Sequence, residues 1–367
     1  MSADLINVAV IGCGGITFQN HIPGLALCPN VRIAAVCDTD GAAVERARAQ
    51  TGAAIASLDY TDILKRDDIH AVIIATPNCT HAPIALEAVG RRKHVLCEKP
   101  LAMNYAEAIR MADAAERSNV RHMTAFTYRF VPAMRYLTYL VKQGDLGNPY
   151  HFRSCRLQDW GTRDLGWRQI KNAAGSGELG DMLSHRIDFA HLLLGSISRL
   201  VAMVKQWHPE RGGRPNDLED WAALIAEFRS GATGVLESSK LASGRNESWR
   251  SFDYVEINGS ERSFVFTTGD WNKLRTGKLG GPGLETIDVP REFWKSPNSP
   301  RDSGTGDPLV TFRYDQAWEF VDAIRSQRPC RPDFYDGARA QAVVDAALQS
   351  AGTGQWVELD EAAEAAG

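Results

Sequence analysis

Asp181, His185 and Asp188 stand at i, i+4 and i+7 in a stretch that opens at Gly177 and closes at Gly195. At 3.6 residues per turn this spacing puts all three on one face of a helix, while Leu179, Met182, Leu183, Ile187, Phe189 and the leucines at 192–194 cover much of the remainder. Polar groups on one stripe of a largely apolar helix are paired, hydrated in a cleft, or used. An imidazole titrates near neutral pH and a carboxylate one turn away can orient it, so the trio suits general-base chemistry. Taken alone, the pattern is more simply read as a satisfied structural histidine. The same face could offer zinc the ligands Asp181, His185 and Asp188, but His191 falls off it, and no metal is expected. A second candidate is Glu98-Lys99-Pro100. The residue before a proline is held extended, which can aim the Lys99 ammonium into a cleft; a surface lysine in a turn is the plain alternative.

The run Gly12-Cys13-Gly14-Gly15-Ile16-Thr17 follows a short apolar strand and opens a helix, the context in which a glycine turn cradles a dinucleotide. Gly12 permits the tight turn, Gly14 lets backbone approach a pyrophosphate, and the helix N-terminus near Gly15 and Ile16 offers N–H groups to its charge. Thr17 replaces the usual Gly or Ala, which predicts looser packing of helix on strand. About 20 residues on, Asp38 ends the second strand, where an acid accepts hydrogen bonds from the adenosine ribose. Asp40 adds a second negative charge and no Arg or Lys follows Asp38 directly, so NAD is expected rather than NADP. Thr76-Pro77-Asn78 and Glu98-Lys99-Pro100 stand at the carboxyl ends of two later strands, the edge at which open α/β sheets bind ligands.

The elements that must position these residues follow from periodicity. Short apolar runs at 8–11, 31–37, 71–75, 95–97 and 121–125 alternate with Ala-rich helical stretches, the pattern of strands buried on both faces of a parallel sheet. Right-handed crossovers then give a doubly wound Rossmann domain over residues 1–127. Beyond it a helix at 132–143, a strand at 150–157, a polar loop to 176 and the helix at 177–194 are expected. Alternating segments at 221–228, 234–237 and 252–257, with no long helix between them, predict a second α/β domain over 128–367 with an open, mainly antiparallel sheet. Residues 278–305 read as loop around a short strand, and helices at 312–327 and 335–353 finish the chain.

With 367 residues the chain is too long for one ordinary domain and comfortable for two. A hydrophobic share of 44% with no apolar run long enough for a bilayer sets membrane insertion aside. The net charge of -4 offers no surface for a polyanion, which sets nucleic acid aside and favours a small neutral or polar ligand. Seven scattered cysteines, none in C-x-x-C spacing, and a first apolar run too short for an export signal make the cytoplasm, with reduced thiols, the expected location.

From about 7 to 359 the combined pattern resembles the glucose-fructose oxidoreductase, inositol dehydrogenase and rhizopine-catabolism family (Gfo/Idh/MocA). The signatures are Gly12 through Ile16, Ala75-Thr76-Pro77-Asn78 with His81, Cys97-Glu98-Lys99-Pro100-Leu101, Gly177 through Asp181 to His185, and Arg331-Pro332-Asp333 with Asp336-Gly337. The resemblance implies an NAD-dependent dehydrogenase that oxidises a secondary ring hydroxyl of a sugar, cyclitol or glycoside to a ketone. It implies that Lys99 orients the hydroxyl, that His185 removes its proton, and that Asp181 holds substrate and histidine in place; a positive Lys99 would also stabilise developing alkoxide character. Gly12, Gly14, Gly15, Ile16, Asp38, Thr76, Pro77, Asn78, His81, Glu98 and Lys99 are then the cofactor-binding candidates.

By family position Tyr128 and Arg129 border the substrate, although Arg129 could equally form an interdomain salt bridge. Trp160, Trp167 and Arg168 precede the site helix, where aromatic faces can stack on sugar rings or simply fill the core. His21 reads as packing, and Asp188 as support for the other residues. The family also implies a homodimer or homotetramer built through the second domain's sheet. Two alternatives stay open: tightly held NAD used for transient sugar oxidation ahead of elimination or glycoside cleavage, and a non-catalytic NAD-sensing regulator.

Overall fold

The computed structural model describes residues 5–247 and 252–360. By contact density the chain forms two compact units, Met1–Thr127 with Lys295–Gly306 and Thr311–Ala338, and Tyr128–Trp294 with Asp307–Val310 and Arg339–Gly367. The sequence expectation had assigned everything after 127 to the second domain, yet two later segments cluster with the first unit.

The first unit is a six-stranded parallel sheet. Its strands are β1 (Ile6–Ile11), β2 (Val31–Cys37), β3 (Ile55–Ser57), β4 (Ala71–Ile74), β5 (His94–Cys97) and β6 (His122–Thr124), in the order β3-β2-β1-β4-β5-β6. All residues of β1 and β4 are buried, as continuous apolar runs covered by helices on both faces must be. The order reverses direction on either side of β1, and β1 and β4 therefore flank the crevice where such sheets bind ligands. The short strand β3 has no counterpart among the expected elements. Its three residues carry too little pattern to separate them from a loop.

The segment after residue 310 closes this unit at β6. Thr124 donates its backbone N–H to the Pro332 carbonyl (3.1 Å) and its hydroxyl to the Asp333 carbonyl (2.8 Å). Asp333 and Asp336 each accept the other's backbone N–H at 2.9 Å, which caps the helix Phe334–Thr353. A Cβ on Gly337 would stand 2.5 Å from the Thr124 hydroxyl, so that approach needs glycine.

The second unit is built on nine strands: β7 (Pro149–Leu157), β8 (Ile197–Lys205), β11 (Trp221–Phe228), β12 (Thr233–Ser239), β13 (Phe252–Gly259), β14 (Arg262–Thr267), β15 (Lys273–Lys278), β16 (Glu285–Asp288) and β17 (Val357–Glu358). A separate hairpin pairs β9 (Glu210–Arg211) with β10 (Arg214–Pro215). The order is β16-β15-β14-β13-β7-β12-β11-β8-β17, and only the β7–β12 pair is parallel. Along β13 every second residue is buried, so one face is packed and the other is half open. Among the described residues no helix is long and apolar enough to cross a membrane.

Candidate active site

In the first unit the glycine turn is dictated by sterics. Gly12 has φ +98°, and a Cβ there would lie 2.4 Å from the Ala75 carbonyl oxygen, so no other residue fits between β1 and β4. Gly14 and Gly15 are exposed, with open space where a Gly14 side chain would be, which leaves the backbone accessible to a large ligand. Thr17 does not loosen the packing as expected. It is fully buried, and its hydroxyl donates to the Gly12 carbonyl at 2.6 Å, tying the start of a π-helical turn (Thr17–His21) to the loop.

Asp38 is half-buried at the end of β2. One carboxylate oxygen accepts the Cys13 N–H (2.6 Å) and the other the Asp40 N–H (3.0 Å), so the acid is locked against the glycine loop with lone pairs to spare. Asp40 itself is exposed and caps the helix Gly41–Thr51 by accepting the Ala42 N–H at 2.9 Å. A forced glycine turn, an accessible backbone at Gly14 and a fixed acceptor at the second strand fit the pyrophosphate and ribose of a dinucleotide.

The two strand-end tripeptides are joined by His81. Its ring is fully buried, with Nδ1 2.9 Å from the Pro100 carbonyl and Nε2 3.0 Å from the Thr76 carbonyl. Burial pushes the His81 pKa down, although the two carbonyls favour the doubly protonated ring. Both nitrogens are thus committed to backbone, and His81 holds the two loops rather than offering a ring nitrogen to a ligand. Thr80 donates its hydroxyl to the Pro77 carbonyl and pairs with the Thr76 hydroxyl, at 2.7 Å each, and Asn78 is buried. His21, expected only to pack, bonds Glu98 at 2.8 Å. Burial pushes the Glu98 carboxyl up, but the His21 bond and the nearby Lys99 charge carry it below its ordinary value. Lys99 follows directly, half-buried, before the cis peptide to Pro100.

In the second unit the site helix starts under a carboxylate. Glu219, nearly buried, accepts the Gly177 N–H at 2.6 Å and the Leu179 N–H at 3.1 Å, filling two of the donors a helix start leaves open. A Cβ on Gly177 would meet the Glu219 carbonyl at 2.2 Å. Leu179–Leu183 is then a π-helical turn, and the α-helix proper runs Ser184–Leu194. Asp181 lies in the wider turn, so its angular spacing to His185 departs from the single-face estimate made with the α-helical period. Asp181 is half-buried; His185 and Asp188 are buried.

Arg129 grips both oxygens of Asp188, at 2.8 and 2.5 Å, so its guanidinium is engaged inside the second unit. The Tyr128 ring meets the His185 imidazole edge-on, with centroids 4.6 Å apart. Arg168 stacks over the neighbouring Trp167 at 4.4 Å, and Trp160 lies under the Arg163 guanidinium and the Lys240 ammonium. The structure therefore gathers Tyr128 and Arg129 against the site helix, while Trp167 and Arg168 pair with each other.

Sequence patterns did not reveal the charges behind that helix. Glu178 is fully buried, accepts the Ser238 hydroxyl and lies 3.6 Å from the Lys240 ammonium. Burial pushes its carboxyl up to about 7; the Asp181 charge adds to this, while Lys240, Ser238 and Arg156 oppose it. Arg156, Arg186 and Asp253 form a second buried cluster. Their partners are tens of residues apart in the chain, so no local pattern marks them.

Comparison with known proteins agrees with the fold of both units. Residues 6–126 match the oxidoreductase family's NAD-binding Rossmann fold, and residues 139–359 match the C-terminal alpha/beta domain of the same family. Levoglucosan dehydrogenase from Pseudarthrobacter phenanthrenivorans is 33% identical over 83% of this chain and 83% of its own length. Glucose-6-phosphate 3-dehydrogenase from Bacillus subtilis is 27% identical, over 92% of this chain and 94% of its own. Among solved structures, levoglucosan dehydrogenase in complex with NADH and levoglucosan superposes with a TM-score of 0.88 at 31% identity, covering 97% of this chain and 99% of that one. The chain belongs to the Gfo/Idh/MocA family and is an NAD-dependent oxidoreductase of the sugar and polyol dehydrogenase type.

Proposed function

We propose that the chain oxidises a secondary ring hydroxyl of a sugar, cyclitol or glycoside to a ketone, Asp181 and His185 serving the reaction from one helix and Lys99 from the Glu98-Lys99-Pro100 turn. The observation that carries this is the site helix. Its start is locked by Glu219 and its Asp188 is neutralised by Arg129, which supports His185 as the base and Asp181 as the residue that holds it. Gly12, Gly14, Gly15 and Ile16 hold the pyrophosphate, Asp38 the ribose, and Thr76, Pro77, Asn78 and Glu98 border the cofactor from the strand ends. NAD, when bound, supplies the acceptor for the carbinol hydride. Lys99 donates a hydrogen bond to the reacting oxygen and stabilises its developing negative charge. An imidazole nitrogen of His185 takes the hydroxyl proton, and Asp181 holds substrate and imidazole in register. Trp160, Trp167 and Arg168 are assigned to the border of the substrate, and Tyr128 and Arg129, which family position also puts near it, to the packing of the site helix. The relatives that act on levoglucosan and glucose 6-phosphate support the substrate class.

The same proposal includes a closed oligomer formed through the half-open face of the nine-stranded sheet, where Met203 and Ile225 are each more than half exposed, and a cytoplasmic location in keeping with seven free cysteines. Incubating the protein with NAD and a panel of inositols, aldoses, glycosides and levoglucosan, and following NADH absorbance, tests the reaction. Lys99→Met and His185→Ala are expected to lose turnover while NAD binding by calorimetry persists. Unchanged turnover in both would remove the assignment.

A further inference from the structure

Inside the second unit two arginines, one of them on the site helix, share one carboxylate. Arg156 on β7 and Arg186, next to His185, are fully buried, and Asp253 near the start of β13 is almost so. Arg156 Nη1 (2.7 Å) and Arg186 Nη2 (3.1 Å) reach the same oxygen, Asp253 Oδ2. Two guanidiniums against one carboxylate leave a buried excess of positive charge, which is costly unless another group shares it. Burial accordingly pushes the Arg186 pKa below its ordinary value.

Beside the buried Glu178 carboxylate, which also acts on Arg156, a group that shares the charge is the Tyr128 ring. Arg156 stands over it at 5.2 Å from the centroid and Arg186 at 5.3 Å, within the range at which a ring's electron-rich face attracts a cation. The ring is therefore held by two side chains that are themselves immobilised. It is also the ring that meets the His185 imidazole edge-on, at 4.6 Å and 87°. The next residue, Arg129, clamps Asp188 one turn beyond His185. Consecutive residues 128 and 129 thus meet the helix at His185 and again at Asp188.

We propose that Tyr128 is a positioning residue for His185, acting through its ring and not through its hydroxyl, and that Arg156, Arg186 and Asp253 act by holding that ring. This rests on His185 being the general base. A base must keep hydrogen-bond reach to the proton it takes, and a misplacement of about 1 Å can cost about a hundredfold in rate. An imidazole packed against a fixed ring loses rotational freedom.

The test compares wild type, Tyr128→Met and Tyr128→Phe with a substrate from the NADH screen. Methionine fills similar volume without a flat ring, so kcat is expected to fall at least about tenfold while KM and the Kd for NAD stay within about twofold. Phenylalanine restores the ring and is expected to rescue kcat. A rise in KM in Tyr128→Phe would show that the hydroxyl binds substrate instead, and full kcat in Tyr128→Met would show that the ring does not matter; either overturns the proposal. A readout independent of turnover is the His185 ring signal in 15N-histidine NMR of the three proteins. It is expected to coincide in wild type and Tyr128→Phe and to shift or broaden in Tyr128→Met. If no sugar is oxidised by wild type, the proposed function falls, but this spectrum still decides whether Tyr128 fixes the imidazole. Should Tyr128→Met not fold, Asp253→Asn perturbs the ring's support from behind, and an unshifted His185 signal there refutes the proposal.

Discussion

Replacing Glu178 by Gln removes a carboxyl that the fold holds far from its ordinary ionisation. Buried at the start of the site helix, with Asp181 adding negative charge, Glu178 is pushed up to about 7 from an ordinary value of 4.5, although Lys240, 3.6 Å away, opposes the shift. The sign follows from linkage. Because the folded form holds its proton more tightly than the unfolded chain, the associated stability is fully present below 4.5 and is lost as pH rises toward and through 7. The gap corresponds to on the order of 3 kcal/mol in total, of which about 2 kcal/mol falls between about pH 5.5 and about pH 8.5. For a unit of this size that is a fall in Tm of roughly 4–8 °C across the window. Differential scanning fluorimetry at several pH values in constant ionic strength reads it directly. Glu178→Gln is expected to flatten this part of the curve; losing the Lys240 partner lowers the variant's stability as a whole, so the slope is the readout. An identical slope in wild type and variant would show that Glu178 does not titrate there, and the argument from burial would fail.

Gly12→Ala forces a Cβ to within 2.4 Å of the Ala75 carbonyl at φ +98°. Strain and overpacking together predict a destabilisation of about 3 kcal/mol or more and at least about tenfold weaker NAD binding, measurable by urea unfolding and calorimetry. Asp188→Asn breaks a buried ion pair and leaves the Arg129 guanidinium facing a neutral amide. A loss of about 3–5 kcal/mol is expected in urea unfolding; a change under about 1 kcal/mol would show that the pair is not formed in solution.

What the amino-acid order alone determined is whatever backbone geometry imprints over a few residues. The apolar runs at 8–11 and 71–75 announce strands buried on both faces because such strands have no polar side to show. The glycine at position 12 announces a turn that only glycine can make, and alternation along 252–257 announces a sheet with one open face. Asp181, His185 and Lys99 stood out by type and spacing, but spacing alone read the histidine as structural and the lysine as a surface turn, and their roles in the reaction are what the family resemblance implies. Only the tertiary structure decided that Glu219 caps Gly177 from 42 residues away, that Glu178 meets Ser238 and Lys240, and that residues 311–338 return to the first unit. It alone decided that Arg129 turns to Asp188 and that Tyr128 stands between two buried guanidiniums and an imidazole. These pairings depend on which strands lie side by side, and burial and charge act through space, so a carboxyl's neighbours and its ionisation are set by topology rather than by spacing along the chain.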